Sequence, residues 1–186
     1  MAPLPERTEL DGIVARRWEP GDVEALHQAV LANLDHLRPW MSWARFEPLT
    51  LAQRAELVDR RDREWRQGGE VVMGIWREEA VVGGCGLVPR IGPGALEIGY
   101  WVHVDHQGQG IATTAARALT GLAFTVDGIQ RVEIHHDANN HASRRVPEKL
   151  GYTLVTTTAT PDDPLSPGEA GLDWLWQVTR ADWIAS

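Results

Sequence analysis

Residues 100–113 read YWVHVDHQGQGIAT. The pattern predicts a strand over 95–104, a loop that contains Gly108 and Gly110, and a helix over 108–124. Glycines let the backbone turn tightly and bring successive N–H groups close to a ligand, and the first helical turn adds unpaired donors and a partial positive charge. The segment therefore predicts a backbone nest for phosphate or pyrophosphate. A helix start whose glycines serve only to turn the chain is the alternative.

Two common phosphate motifs do not match this loop. A P-loop requires a lysine directly after its second glycine, and no lysine follows here. A dinucleotide fingerprint requires a third glycine at the position of Thr113. The nest is consequently neither a nucleotide P-loop nor a dinucleotide fold by its spacing.

The composition predicts one domain over residues 1–186. The 186 residues are 43% hydrophobic and carry 18 Lys+Arg against 26 Asp+Glu, a formal net charge of −8. A chain of this size can bury a core without disulfides, and its lone Cys85 cannot form an internal bridge. Without an apolar run of membrane length or a signal peptide we expect a cytoplasmic protein with no membrane partner. The excess of acidic residues argues against a nucleic acid as a partner.

Strands and helices follow one another in an order that predicts a mixed sheet with helices packed against it, an α+β or α/β layered class. A hairpin loop is expected over 160–168, and Asp22 and Thr50 are expected to cap the first two helices. The predicted strands are 13–18, 71–76, 81–88, 95–104, 131–135, one from Tyr152, and 174–179, and the later helices are 108–124 and 143–150.

Three groups of residues resemble a known family. Gln107-x-x-Gly110-x-Ala112 is similar to the Gln/Arg-x-x-Gly-x-Gly/Ala signature of the GNAT N-acyltransferase superfamily. Its Asn-x-x-Ser…Lys-Leu-Gly-Phe element is matched by Asn140, Ser143, Lys149, Leu150, Gly151 and Tyr152. The stretches 33–43 (NLDHLRPWMSW) and 97–101 (EIGYW) are typical of the RimJ/RimL-like branch, named for ribosomal-protein alanine N-acetyltransferases.

The resemblance implies a GNAT-type mixed, mostly antiparallel central sheet of about seven strands flanked by about four helices. It implies acetyl-CoA as cosubstrate and transfer of acetyl to a primary amine, either a protein N-terminus or a small molecule. Relatives of this kind are often dimers, so a homodimer is an expectation as well. A catalytically idle domain that binds or senses acyl-CoA is the alternative from a different class.

The resemblance also implies how acetyl-CoA is held. The pyrophosphate would lie on the loop and first helical turn formed by Gln107, Gly108, Gln109, Gly110, Ile111, Ala112 and Thr113. The pantetheine arm would bond backbone groups of Val102 and Val104, with Asn140 bonding the arm and Ser143 near the thioester sulfur. Asn140 and Ser143 both stand at a predicted helix start, so capping is the competing role of Ser143.

Amide formation requires a neutral amine and, as the thiolate leaves, a proton donor. An N-terminal α-amine with a pKa of about 7.7–8.0 is partly neutral at pH 7, so a strong base is optional. Glu97 is the favoured base, ahead of Glu133 and His135. Because Pro147 stands where some family members carry a tyrosine acid, Ser143 is the candidate acid.

The sequence also offers candidates for an acceptor pocket, a metal site and a nucleophile, each with weaker support. Trp40 and Trp43 are candidates for the acceptor pocket, with core packing as the alternative, which is favoured for Trp76 and Trp101. His103 and His106 suggest a metal, but no set of ligands with zinc spacing completes them. Cys85 lies between glycines, where its small size explains it better than nucleophilic catalysis.

Overall fold

The computed structural model of the chain describes residues 2–89, 91–160 and 166–185. Within them, eight strands form one sheet in the order β1-β2-β3-β4-β5-β6-β8-β7. All neighbours are antiparallel except β5 and β6, which are parallel. The strands are β1 (Arg7–Leu10), β2 (Ile13–Arg17), β3 (Val71–Arg77), β4 (Ala80–Val88), β5 (Ala95–Val102), β6 (Arg131–Asp137), β7 (Thr153–Ala159) and β8 (Leu172–Thr179).

Six helices accompany the sheet in the described residues. They are α1 (Val23–Ala32), α2 (Leu34–Leu37), α3 (Leu51–Arg66), α4 (Ile111–Ala123), α5 (His141–Lys149) and α6 (Arg180–Ala185). Short 3-10 turns cover Pro20–Asp22, Ser42–Phe46 and Val104–His106. The predicted layered class and mostly antiparallel sheet are confirmed, with β1, α2 and α6 added to the predicted elements.

Two predicted details are wrong. The strand expected over 95–104 ends at Val102, because the chain turns into a 3-10 turn at Val104. Asp22 precedes α1, but its carboxylate makes no cap to that helix; it binds both Nη atoms of Arg16 at 2.6 and 2.9 Å and accepts from the Glu19 N–H at 2.9 Å. Of the loop predicted over 160–168, residues 161–165 lie outside the described part of the chain.

Apolar side chains form a core on each face of the sheet. On one face α4 packs against the central strands through fully buried residues such as Ala116 and Leu119. On the other face a smaller cluster of five buried residues holds α1 and α3, and Trp101 packs against it; its members are Trp18, Leu26, Val30, Val58 and Trp76. Core packing of Trp76 is thereby confirmed.

Strands β5 and β6 separate along their length, and this separation positions the site. They pair only from Ala95 to Glu97 on β5, whereas both strands continue beyond that point. The N–H of His103 donates to the Val82 carbonyl on β4 at 2.9 Å. Because strand backbone groups alternate in direction, those of Tyr100 and Val102 face away from β4 and toward the gap.

The start of α3 offers a test of local stability. Thr50 Oγ1 accepts a hydrogen bond from the Gln53 N–H at 3.2 Å, and Gln53 Oε1 accepts from the Thr50 N–H at 2.8 Å, so the predicted cap is confirmed. Since such caps contribute about 1 kcal/mol, Thr50→Ala should lower the free energy of unfolding by roughly that amount in urea titrations. Thr50→Ser keeps the hydroxyl and is the control; equal stability of the Ala and Ser variants would contradict the prediction.

Candidate active site

A backbone cradle forms where the 3-10 turn after β5 leads into α4. Gly108 and Gly110 have φ angles of +70° and +81°, and Gly110 is the residue before the first helical position of α4. A Cβ placed on either glycine would meet no atom within 4 Å. These two positions therefore need glycine for their left-handed backbone, and open space lies in front of them.

The cradle fits a pyrophosphate group. The first intrahelical bond of α4 runs from the Thr114 N–H to the Gly110 carbonyl at 3.0 Å. The N–H groups of residues 111–113 therefore have no acceptor inside the helix, and the helix dipole adds partial positive charge there. Open space, oriented donors and positive potential together are what a diphosphate requires.

The two glutamines of the cradle use their side chains within the protein. Gln107 Nε2 lies 2.6 Å from His36 Nε2, and Gln109 Oε1 accepts from Arg77 Nη1 at 2.7 Å. Contacts of these residues with a bound phosphate would therefore come from their backbone groups.

The backbone of Val104 is hydrogen-bonded within the protein, whereas that of Val102 faces the gap. The Val104 N–H donates to Asn33 Oδ1 at 2.7 Å, and its carbonyl accepts from the Gln107 N–H at 3.4 Å. The predicted pairing of Val104 with the pantetheine arm does not fit this arrangement, because its backbone is already hydrogen-bonded. Val102 remains suited to it, since its groups face the gap.

Ser143 lies at the start of α5, next to the open ends of β5 and β6. Asn140 caps the helix, because its Oδ1 accepts from the Ser143 N–H at 3.0 Å. The Ser143 hydroxyl is not the cap and lies 3.2 Å from the Tyr100 hydroxyl, which also donates to the Ser143 carbonyl at 3.1 Å. Burial raises the pKa of Tyr100, so it stays protonated. Sequence reasoning missed this tyrosine, although it lies within the EIGYW stretch.

A charged cluster lies on β6 and β8, across the gap from β5. Glu133 binds Arg131 Nε at 2.7 Å through one oxygen and lies 3.2 Å from His135 Nε2 through the other. Asp173 on β8 lies 2.8 Å from His135 Nδ1, and this hydrogen bond raises the pKa of His135 to about 9. At neutral pH His135 is therefore protonated and does not serve as a base, while both Glu133 oxygens are engaged with cations.

The contacts of His135 with Asp173 and Glu133 predict a pH dependence of stability. The pKa of His135 rises from 6.5 to about 9 in the folded protein, so its contribution is complete below pH 6.5 and is lost as the pH rises through 9. The urea concentration at the unfolding midpoint should therefore decrease as the pH rises from 6.5 to 9. In His135→Gln this decrease should be smaller. Gln28→Ala, an exposed change on α1, is the control; an unchanged slope in His135→Gln would contradict the assignment.

A cavity of about 950 Å³ adjoins the Tyr100–Ser143 contact and the His135–Asp173 pair. Its lining includes Glu97, Tyr100 and Ser143 together with Trp40 and Trp43. Trp43 is 37% exposed, so it lies at an opening rather than in a core. The structure thus brings both candidate acceptor-pocket tryptophans to the same cavity as Glu97 and Ser143.

Residues 166–171, directly before β8, contribute Glu169 to the lining of this cavity. The Gly168 N–H donates to the Pro39 carbonyl at 3.0 Å, which joins it to the segment that carries Trp40. Burial opposes ionisation of Asp137, yet bonds from backbone N–H groups, including those of Ala170 and Leu172, hold its pKa below the usual value. This ionised carboxylate fixes the loop.

Two other groups that the sequence suggests for chemistry, Cys85 and the His103/His106 pair, are not suited to it in the structure. Cys85 is 6% exposed, and burial raises the pKa of its thiol, so it is a weak nucleophile. The rings of His103 and His106 contact each other at 5.6 Å, and the described residues contain no group of three or more His, Cys, Asp and Glu that could hold a metal. Among the described helices, none is both long enough and apolar enough to cross a membrane.

Comparison with known proteins agrees with this geometry. The acetyltransferase (GNAT) domain family matches residues 13–153. A putative ribosomal N-acetyltransferase, YdaF of Bacillus subtilis, is 29% identical over 142 residues, which cover 75% of this chain and 77% of that protein.

Two solved structures share the fold. Mycobacterium smegmatis RimJ in complex with CoA-disulfide superposes with a TM-score of 0.82 at 22% identity, over 97% of this chain and 91% of that one. An acetyltransferase from Salmonella typhimurium is described as modifying the N-terminal serine of a 50S ribosomal subunit protein. It superposes with a TM-score of 0.77 at 23% identity, over 91% of this chain and 96% of that one. With its cradle, split sheet and family match over most of its length, the chain belongs to the GNAT acetyltransferases, enzymes that use acetyl-CoA.

Proposed function

We propose that the enzyme transfers acetyl from acetyl-CoA to a primary amine, above all a protein N-terminal α-amine, by direct attack within a ternary complex. The observation that carries this proposal is the separation of β5 from β6 beyond Glu97. The separation leaves backbone groups of β5 facing the gap, and the cavity that Trp40 and Trp43 line reaches Glu97, Tyr100 and Ser143 beside it, where the two substrates would meet.

Acetyl-CoA would lie across the cradle and the gap. Its pyrophosphate would accept hydrogen bonds from the backbone of residues 107–113, and the arm would pair with Val102 and contact Asn140. Acetyl-CoA supplies an activated acetyl thioester, and the chain's part is to align its carbonyl with the amine. Alignment of two substrates accounts for a large share of the rate in such reactions.

Glu97 is the proposed proton acceptor. It lines the cavity, and His135, the other candidate base that lines it, is protonated at neutral pH. An α-amine loses its proton more readily than a lysine side chain, with a pKa of about 7.7–8.0 against about 10.4. A carboxylate at this position is therefore sufficient for an N-terminal acceptor.

Ser143 is the proposed proton donor to the leaving thiolate. Its hydroxyl is not used in capping, and the Tyr100 hydroxyl 3.2 Å away holds it in place from inside the protein. The amine attacks the thioester carbon and the C–S bond breaks. The leaving thiolate takes the proton of the Ser143 hydroxyl. The proton that the amine loses returns to Ser143 through Glu97 or solvent.

Two observations support an N-terminal acceptor. The described residues that line the cavity include eight carboxylates against four arginines and the protonated His135, a balance that favours a cationic group. The compared proteins are described as a ribosomal N-acetyltransferase and as an enzyme that modifies an N-terminal serine. Trp40 and Trp43 would contact the acceptor next to its amine.

An acceptor screen tests the proposal. The purified protein is incubated with acetyl-CoA and either short peptides with free N-termini or small amines, and the released CoA thiol is followed. We expect release with at least one free peptide and none with the same peptide blocked at its N-terminus. Release with small amines alone would overturn the N-terminal acceptor, and binding of acetyl-CoA without release for any amine would favour the idle sensor. Sedimentation of the same sample tests the homodimer.

A further inference from the structure

Asn33 joins two parts of the site that lie far apart in the sequence. It stands between α1 and α2, and its side chain is buried, with 1% of the residue exposed. Its Nδ2 donates to the Ala29 carbonyl at 2.7 Å, and its Oδ1 accepts from the Val104 N–H at 2.7 Å. The amide therefore satisfies one orphan carbonyl at the end of α1 and the first N–H of the turn that leads into the cradle.

His36 makes a second connection one helical turn later. Its Nε2 lies 2.6 Å from Gln107 Nε2. Burial lowers the pKa of His36, so its ring is neutral near pH 7 and can accept from the Gln107 amide. Asn33 and His36 thus hold the short helix α2 against residues 104–107 of the cradle.

From α2 the connection continues into the acceptor loop, which we define as residues 38–47. The N–H groups of Trp40 and Met41 both donate to the Leu37 carbonyl, at 3.0 and 2.8 Å, and Leu37 is 2% exposed. Because these hydrogen bonds attach the start of the loop to the end of α2, a shift of α2 moves Trp40. Continuous hydrogen-bonded elements of this kind can carry energetic coupling between two sites.

We infer that Asn33 and His36 are positioning residues through which acetyl-CoA in the cradle orders the acceptor loop. The inference rests on the cofactor placement proposed above. A phosphate group bound at residues 108–113 restrains the turn from Val104 to Gln107, and the two side chains pass this restraint to α2. The coupling is reciprocal, so an ordered acceptor loop also favours cofactor binding.

Hydrogen exchange measured by mass spectrometry tests this without any acceptor. In the wild-type protein, acetyl-CoA should slow backbone exchange at least about threefold both in residues 108–113 and in the acceptor loop. In Asn33→Ala the slowing should persist in 108–113 and disappear from the loop. His36→Leu, at a partly exposed position, should weaken loop protection and serves if Asn33→Ala does not fold.

Val132→Ala is the matched control. Val132 is fully buried in β6 and lines no part of the cavity, so its replacement lowers stability without touching the connection. Loop protection should survive in this variant although its melting temperature falls. Protection of 108–113 without protection of the wild-type loop would overturn the coupling, as would full loop protection in both Asn33→Ala and His36→Leu. Protection of neither region would instead overturn the cofactor placement.

Discussion

Gly110→Glu is expected to weaken acetyl-CoA binding by at least about 100-fold. A Cβ at this glycine would meet no protein atom within 4 Å, so the new side chain extends into the space proposed for the pyrophosphate. Two like charges about 4 Å apart near a protein surface repel by roughly 4 kcal/mol, which is more than enough for this loss. Isothermal titration calorimetry with acetyl-CoA measures the effect directly.

Gly110→Ala separates the charge from the backbone strain. Both variants place a side chain at φ +81°, which costs about 1–2 kcal/mol in the left-handed region, but only the glutamate adds a carboxylate. We expect the alanine variant to keep most of its affinity and to share the lower melting temperature. Equal affinity of Gly110→Glu and Gly110→Ala for acetyl-CoA would refute the position of the phosphates.

Ser143→Ala is expected to lower kcat by about 100-fold, at the low end of what a positioned acid contributes, and to leave acetyl-CoA affinity within about twofold. The variant keeps the helix cap, because that bond uses the Ser143 backbone N–H and the Asn140 side chain. Steady-state kinetics with the best acceptor from the screen, together with calorimetry, separate the two quantities.

Two further variants define what the Ser143 result means. Asn140→Ala removes the cap and should weaken cofactor binding along with stability. Tyr100→Phe keeps the ring but removes the hydroxyl that holds Ser143, so it should lower kcat less than Ser143→Ala does. An unchanged kcat in Ser143→Ala would remove the serine from the mechanism, whatever the other two variants do.

The cradle could be predicted from the sequence because its signals are local. Two glycines at fixed spacing require left-handed backbone angles, and the apolar period that follows predicts the helix. The cap at Thr50 is similarly local. By contrast, β1 is a four-residue edge strand whose residues alternate between exposed and half-buried and include Arg7 and Glu9, so it carries little hydrophobic signal.

The parts of the site that escaped prediction depend on contacts between distant residues. Asp173 meets His135 only because β8 pairs with β6, and the ionisation of His135 cannot be foreseen without that pairing. The resemblance also places the pantetheine arm against Val104, but the Val104 N–H is bonded to Asn33, which lies 71 residues earlier in the chain. Sequence spacing gives no access to such partners.

The buried thiol of Cys85 has a practical consequence for following turnover. It is the single cysteine of the chain, and its high pKa and burial leave almost no thiolate at the surface. A colorimetric disulfide reagent added to the folded enzyme should therefore respond to released CoA with negligible background from the protein. When the sheet opens, one equivalent of thiol per chain becomes reactive, and the same reagent then reports inactivation by unfolding.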